Sequence, residues 1–389
     1  MAKVVDLAVG ESEQKNLDFE PSEYRERLAR LHGAMQARGA EVMLLDEPEI
    51  LAYVIGYERS VSFYRACIVS LDADPVMVLR QLDRAPFLEK SWLRDCEGFA
   101  DTEDAVARVA AELQRRGYAD KAIGIDFGSH ALSVAYFARL KEALPNARFV
   151  PMTGVPWELR LIKSPAEVAY ISRAASIADQ TMSDVIEMVQ PGMSERQVAA
   201  FVARRFVEQG ADTGHIGPIT AARGWGFLHG HLHDTALAAG DVLHLELVPR
   251  VHGYSARLMR CVAIGGISSE QQTHAEQIVA IQDRQIAAMQ PGARAVDVDR
   301  ILREGLVAAG LRASYDNITG YTLGYYSQQP LRSSDFTRTF NPNAGWTIEG
   351  GMVFHMYTSA CGLAFSETVH VTPKGPQRLT RIERRLFSC

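Results

Sequence analysis

Gln190-Pro191-Gly192 and Gln290-Pro291-Gly292 stand 100 residues apart, and the register persists beyond them: Val198 matches Val298 and Gly210 matches Gly310. Helical patterning follows each tripeptide. Pro-Gly is common punctuation after helices, so chance is one account of the match. The other is a duplicated half, in which a helix, Pro-Gly and a second helix lead into strands. That account predicts two curved half-sheets backed by their helices, around a cleft near a pseudo-twofold axis.

Outward from the repeat, Ser164-Pro165-Ala166-Glu167 supplies an N-cap, a proline at the first helical position and a glutamate at the third. A long helix is expected from there towards Val189. Each helical section is followed by a β-rich one. The first holds VLHLELV (242–248), the turn PRVHG and YSARLMRCVAIG (254–265), which read as a hairpin; the second holds GMVFHMY (351–357) and FSETVHVT (365–372). With a period of two, His244, Glu246 and Val248 share one strand face and Leu243, Leu245 and Leu247 the other. A carboxylate in an interior apolar strand needs a partner or a task.

Ahead of these sections the chain alternates elements. A helix from Tyr24 to Gly39 precedes EVMLLD (41–46), ACIVSL (66–71) and PVMVLR (75–80) as strands. A helix at DAVARVAAELQRRG (104–117) and a strand at AIGIDF (122–127) follow. This pattern gives an α/β layer domain closing near Asn146–Pro156. The expected organisation is a polar arm over 1–20, an α/β domain over 21–156 and a larger α+β domain over 157–389. Net charge is −6, with no basic tract, which argues against nucleic acid. No apolar run reaches the roughly 18 residues of a membrane span. MAKVVDLAVGESEQKN (1–16) shows no secretory signal, and the five scattered cysteines form no Cys-x-x-Cys pair. Reduced thiols in a cytoplasmic protein are expected.

Several ordered stretches carry a resemblance: RLIKSPAEVAYISRAASIAD (160–179), GDVLHLEL (240–247), GYSARLMR (253–260), GMVFHM (351–356) and ETVHVTPKGPQRLT (367–380). Together with the paired helix–Pro-Gly–helix segments they resemble the creatinase/prolidase/methionine-aminopeptidase superfamily over residues 24–385. The resemblance implies a creatinase-like N-terminal α/β domain and a C-terminal "pita-bread" domain with duplicated halves. Most members are two-metal hydrolases with ligands in the order Asp, Asp, His, Glu, Glu. Here those positions hold Glu246, Arg257, Tyr321, Tyr357 and Ser366. One carboxylate remains and a guanidinium cannot ligate a cation, so neither a metal site nor another cofactor is expected.

The metal-independent branch is the nearer likeness. Ser62-Phe63-Tyr64-Arg65 matches creatinase's SFxR stretch, whose Phe and Arg reach the neighbouring subunit's substrate; a homodimer with Phe63 and Arg65 in that role is implied. His229, in FLHGHLHD (227–234), matches the superfamily's active-site histidine. The glutamates that grip creatine's guanidinium fall at Met259 and Tyr357, which makes creatine a poor fit. The C-terminal half is more similar to ectoine hydrolase, in Gly320-Tyr321-Thr322-Leu323-Gly324, Phe354-His355-Met356, Ser366-Glu367 and Glu246. It departs at Gly253-Tyr254-Ser255-Ala256-Arg257-Leu258, where that group has a His and no Arg.

These readings converge on a metal-independent hydrolase of a carbon–nitrogen bond outside peptides, in a small carboxylate-bearing substrate. Glu246 is the expected nucleophile or base and His229 the acid–base partner. Arg257, Tyr321, His355, Tyr357 and Glu367 are expected around the substrate, with Phe63 and Arg65 from the partner. A buried ion pair with Arg257 is the purely structural account of Glu246. A lone strand histidine such as His355 is more often a satisfied core residue. His231 and His233 are expected as polar loop residues. The alternatives are an inactive relative acting as a binding module and a creatinase-type amidinohydrolase.

Overall fold

The computed structural model describes residues 15–59, 62–222 and 228–389. Backbone contacts divide the chain into two compact units, Met1–Leu159 and Arg160–Cys389. In the first, α1 (Pro21–Arg38) stops where Gly39 turns left-handed at φ 68°, a conformation glycine adopts without a Cβ clash. The elements that follow are β1 (Val42–Leu45), α2 (Pro48–Ile55), β2 (Ala66–Ser70), β3 (Val76–Arg80), α3 (Arg84–Lys90), β4 (Cys96–Phe99), α4 (Ala105–Arg115), β5 (Ala122–Ile125), α5 (Val134–Ala143), β6 (Arg148–Pro151) and α6 (Val155–Glu158). The sheet order is β4-β3-β2-β1-β5-β6. On central β1, Met43 and Leu45 pack with Leu28, Leu31 and Met35. Val42 and Leu44 pack with Val106, Val109 and Leu113 on the other face. Burial on both faces explains why this strand reads as a continuous apolar run.

Two details differ from the sequence reading. Residues 148–151, in the stretch expected to close the domain, form edge strand β6 alongside β5. Only Val150 of it is buried, so it carried no strand signal. Residues 1–14 of the expected arm lie outside the described residues, but its end is docked. Lys15 Nζ donates to the Ser91 and Leu93 carbonyls at 2.7 Å each. The Arg27 guanidinium lies 4.1 Å from the Phe19 ring centroid.

The second unit contains α7 (Pro165–Met188), α8 (Glu195–Glu208), β7 (Ile219–Ala222), β8 (Val242–Leu247), β9 (Arg250–Val251), β10 (Tyr254–Ser255), β11 (Leu258–Ala263), α9 (Ser269–Ala287), α10 (Ala295–Ala308), β12 (Gly320–Thr322), β13 (Thr339–Phe340), β14 (Val353–Ala360), β15 (Leu363–Thr372), β16 (Gly375–Arg378) and β17 (Phe387–Ser388). One sheet runs β13-β12-β14-β15-β11-β8-β7, with β16 beside β15 and β17 beside β11. The halves repeat in detail. Gly192 and Gly292 have φ of 91° and 90°. Their N–H groups donate to the Leu237 and Ile348 carbonyls at 2.7 and 2.8 Å. Val198 and Val298 are both buried. No described helix is long and apolar enough to cross a membrane.

The start of α7 is a complete capping box. Ser164 Oγ accepts from the Glu167 N–H at 3.2 Å, and Glu167 Oε2 accepts from the Ser164 N–H at 2.9 Å. Glu167 Oε1 also accepts the Tyr254 hydroxyl at 2.9 Å, tying the helix to β10. Ser164→Ala should therefore lower the denaturant stability of the protein by about 1 kcal/mol. Equilibrium unfolding checks this.

Candidate active site

The register of β8, β11, β15, β14 and β12 assembles the site. Glu246 pairs with Met259, Met259 with Ser366, and Ser366 with Tyr357, so these four side chains stand in a row across one sheet face. One step along, Thr368 pairs with His355 and His355 with Tyr321, making a second row on that face. Arg257, in the link between β10 and β11, joins the second row through its backbone. Its N–H donates to Thr368 Oγ1 at 2.8 Å, and that hydroxyl donates to the Arg257 carbonyl at 2.9 Å. Glu246, Arg257, Tyr321, Tyr357 and Ser366 are thus brought together.

Their chemistry differs from a metal centre. Glu246 is 1% exposed and Arg257 8%. Arg257 Nη1 donates to Glu246 Oε1 at 2.5 Å, and Nη2 to the Ser333 carbonyl at 2.7 Å. Burial opposes the charge on Arg257, but Tyr321 and Glu246 hold its pKa above the usual guanidinium value. Among the described residues, no group of three His, Cys, Asp or Glu side chains could hold a metal ion. Two divalent ions need several oxygen anions between them; here the one carboxylate is already bound to a fixed cation. The donor set does not fit a binuclear centre.

Aromatic rings wall the guanidinium. It lies 5.5 Å from the Tyr321 centroid. Tyr321 meets His355, Phe336 and Tyr357 edge-on at 5.1, 5.2 and 6.0 Å, while His355 and Tyr357 stack at 5.4 Å. Burial raises the pKa of both phenols, so each is a neutral O–H donor. Burial, followed by the Arg257 charge, drops His355 well below the imidazole range. Neither of its ring nitrogens has a hydrogen-bond partner among the described residues, and the same is true of Ser366 Oγ. His355 is buried but not satisfied.

His229 sits on a turn beside the undescribed residues 223–227 and is exposed. Burial, with a smaller effect of the neighbouring His229, lowers the pKa of His244 to about 3. The strand alternation had placed His244 on the Glu246 face, but its role as a neutral neighbour of His229 went unread. His231 and His233 lie in a loop with their rings tilted 4.7 Å apart, and His233 Nδ1 lies 3.1 Å from Glu195 at the start of α8.

One expectation is corrected. Glu367 is not placed to meet a substrate beside Glu246. Neighbouring strand residues point to opposite faces, and Ser366 takes the site face. Glu367 instead lies in a buried cluster, with Arg260 Nη2 at 2.8 Å, Arg384 Nε at 3.1 Å and a hydrogen bond from Thr380 Oγ1. Phe63 and Arg65 lie in the first unit. Phe63 packs edge-on against Phe99, and Arg65 Nη2 donates to the Glu58 carbonyl at 2.8 Å. Ser333, Asp335 and Phe336 gave no sequence signal, because only chain folding carries their loop to the site.

The depressed His244 pKa sets a pH dependence. The folded state refuses a proton that the unfolded chain takes up below about 6.5, so stability falls as pH drops from there towards 3. His244→Leu should remove one such proton and flatten the slope by about 1.4 kcal/mol per pH unit. Unfolding free energies measured between pH 6.5 and 4 test it.

Comparisons with known proteins bear on the family and the fold. A model of the creatinase/prolidase N-terminal domain matches residues 27–162, and one of metallopeptidase family M24 matches residues 169–373. The ectoine hydrolase of Halomonas elongata is 23% identical, over 96% of this chain and 99% of its own. A Xaa-Pro dipeptidase of Pyrococcus furiosus is 28% identical over 66% of this chain and 73% of its own. The solved Xaa-Pro dipeptidase from Bacillus anthracis superimposes with a TM-score of 0.82 at 20% identity, covering 94% of this chain and all of that one (100%). The chain belongs to metallopeptidase family M24, a family of hydrolases, and carries the creatinase/prolidase domain at its N-terminal end.

Proposed function

We propose that the protein is a metal-independent hydrolase that opens a non-peptide carbon–nitrogen bond, of cyclic amidine, amide or guanidino type, in a small carboxylate-bearing substrate. The observation that carries this reading is the buried Glu246–Arg257 pair, at the positions that the resemblance assigns to the family's first two metal ligands. The similarity to ectoine hydrolase along nearly the whole chain supports it. Met259 and Tyr357, where creatinase has its gripping glutamates, disfavour a creatinase-type amidinohydrolase.

In this reading Glu246 supplies the electron pair, either by attacking the sp² carbon, with water then cleaving the Glu246–carbon bond to restore the carboxylate, or by taking a proton from the attacking water. Tyr321 and Tyr357 donate to the charge that develops on the attacked group. His229 delivers a proton to the leaving nitrogen as the C–N bond breaks. Arg257 holds Glu246 in place and binds the substrate carboxylate. The working form is a cytoplasmic homodimer in which Phe63 and Arg65 complete the partner's site. A binding module without turnover is the second reading. It is favoured by the same ion pair, which would persist for burial reasons alone.

Glu246→Gln should lower turnover by about a hundredfold or more without unfolding the chain. The measurement is amine release from a panel of cyclic amidines, N-acyl amino acids and guanidino acids. An unchanged rate removes Glu246 from the mechanism, and silence of the wild type across the panel selects the binding module. The purified protein should carry no stoichiometric Mn, Co or Zn, and a chelator should leave its rate unaltered; elemental analysis and assay decide both.

A further inference from the structure

Arg257 has five N–H donors in a planar fork, and the fold uses them unevenly. Nη1 holds Glu246 and Nη2 holds the Ser333 carbonyl, while Nε is buried without a partner among the described residues. A buried charged N–H left unpaired is destabilising until an acceptor reaches it. The Nε–Nη2 edge is the side of the fork that takes a carboxylate with two parallel bonds. One of its two positions is empty and the other holds a neutral carbonyl.

That carbonyl belongs to a strap, residues 327–338, laid over the site. Arg250 Nη1 and Nη2 hold the Ser327 and Arg332 carbonyls at 2.9 and 2.5 Å, and Thr322 Oγ1 donates to Asp335 Oδ1. Phe336, 62% exposed, rests against Tyr321. Arg250 and Arg257 hold neighbouring carbonyls of the same strap, at Arg332 and Ser333. Two guanidiniums thus stand close together, and Glu246 occupies only one edge of one of them.

We propose that the Nε–Nη2 edge of Arg257 is the subsite for a substrate carboxylate, and that the Ser333 carbonyl guards it until an anion displaces it. A carboxylate wins that exchange because both partners are then charged, and because a second, parallel bond also satisfies Nε. Glu246 keeps its bond to Nη1, so binding the anion does not strip the carboxylate of its counter-charge. The strap is then a specificity element: a neutral analogue cannot lift Ser333. The inference rests on the hydrolase reading for the substrate's identity, but not for the existence of the subsite.

The test uses the full-length protein with propionate and its neutral isostere propionamide as probes. Propionate should bind about tenfold or more tightly than propionamide by calorimetry. It should also shift the Arg257 Nε–H resonance in nitrogen–proton spectra. Arg257→Lys keeps the charge but loses the edge, and should abolish the preference. Asp335→Ala loosens the strap and should tighten propionate binding several-fold. Equal affinities, an unmoved Nε–H resonance, or a preference surviving in Arg257→Lys overturns the subsite. Unaltered affinity in Asp335→Ala overturns the guard. If Arg257→Lys does not fold, the resonance and the Asp335 variant decide. No arm reads turnover, so an inactive protein that passes these tests loses the hydrolase reading and keeps the carboxylate subsite.

Discussion

A carboxylate and a guanidinium buried together on one sheet face bind each other because neither can be left alone. Stranding one charge by removing its partner costs about 3–5 kcal/mol, so Glu246 and Arg257 constrain everything near them. They are 11 positions apart, and the β8–β11 hairpin closes that distance by pairing Met259 with Glu246. The short β9–β10 pair forms the hairpin's tip. Thr368, clamping both the N–H and the carbonyl of Arg257, fixes the guanidinium from a strand more than a hundred residues further on. The pair is therefore a product of three strands from both duplicated halves, and the pocket's charge pattern depends on all of them.

The same sheet carries a second buried ionic cluster on its other face. Arg260 bonds Glu367 and the Glu383 and Ile382 carbonyls, and Asp179 of α7 accepts the Arg381 and Ile382 N–H groups. This network pins the C-terminal segment against the sheet and α7. Its partner-rich environment contrasts with the site face, where His244, His355 and Ser366 keep buried polar atoms unpaired among the described residues. Buried polar groups are ordinarily satisfied, so one face reads as scaffold and the other as a surface built to receive polar atoms from elsewhere. The positions that the family resemblance assigns to metal ligands hold phenols, a hydroxyl and a guanidinium beside Glu246 on this face.

Much of the fold was legible because it follows from local rules. The capping box at Ser164, the Pro-Gly stops and the left-handed glycines at 192 and 292 are properties of a few consecutive residues, and the structure reproduces them. Period-two alternation placed His244 with Glu246 before any contact was known. The same rule, applied to Ser366-Glu367, would have turned Glu367 away from the site; the motif likeness outweighed it, and the buried Arg260 cluster is the result. The edge strand at 148–151 was invisible because only Val150 of it is buried, and the docked Lys15 because its bonds run to distant carbonyls.

By itself the sequence determined most of the element types, the duplication and the family, since each depends on residue identity at fixed spacing. Only the tertiary structure decided which donors of Arg257 are occupied, that the 327–338 strap covers it, and that His355 is buried without being satisfied. Those facts are set by side chains from strands and loops far apart in the chain meeting in a water-poor space. There, hydrogen bonds and charges are worth far more than in solvent, and no local pattern records who meets whom.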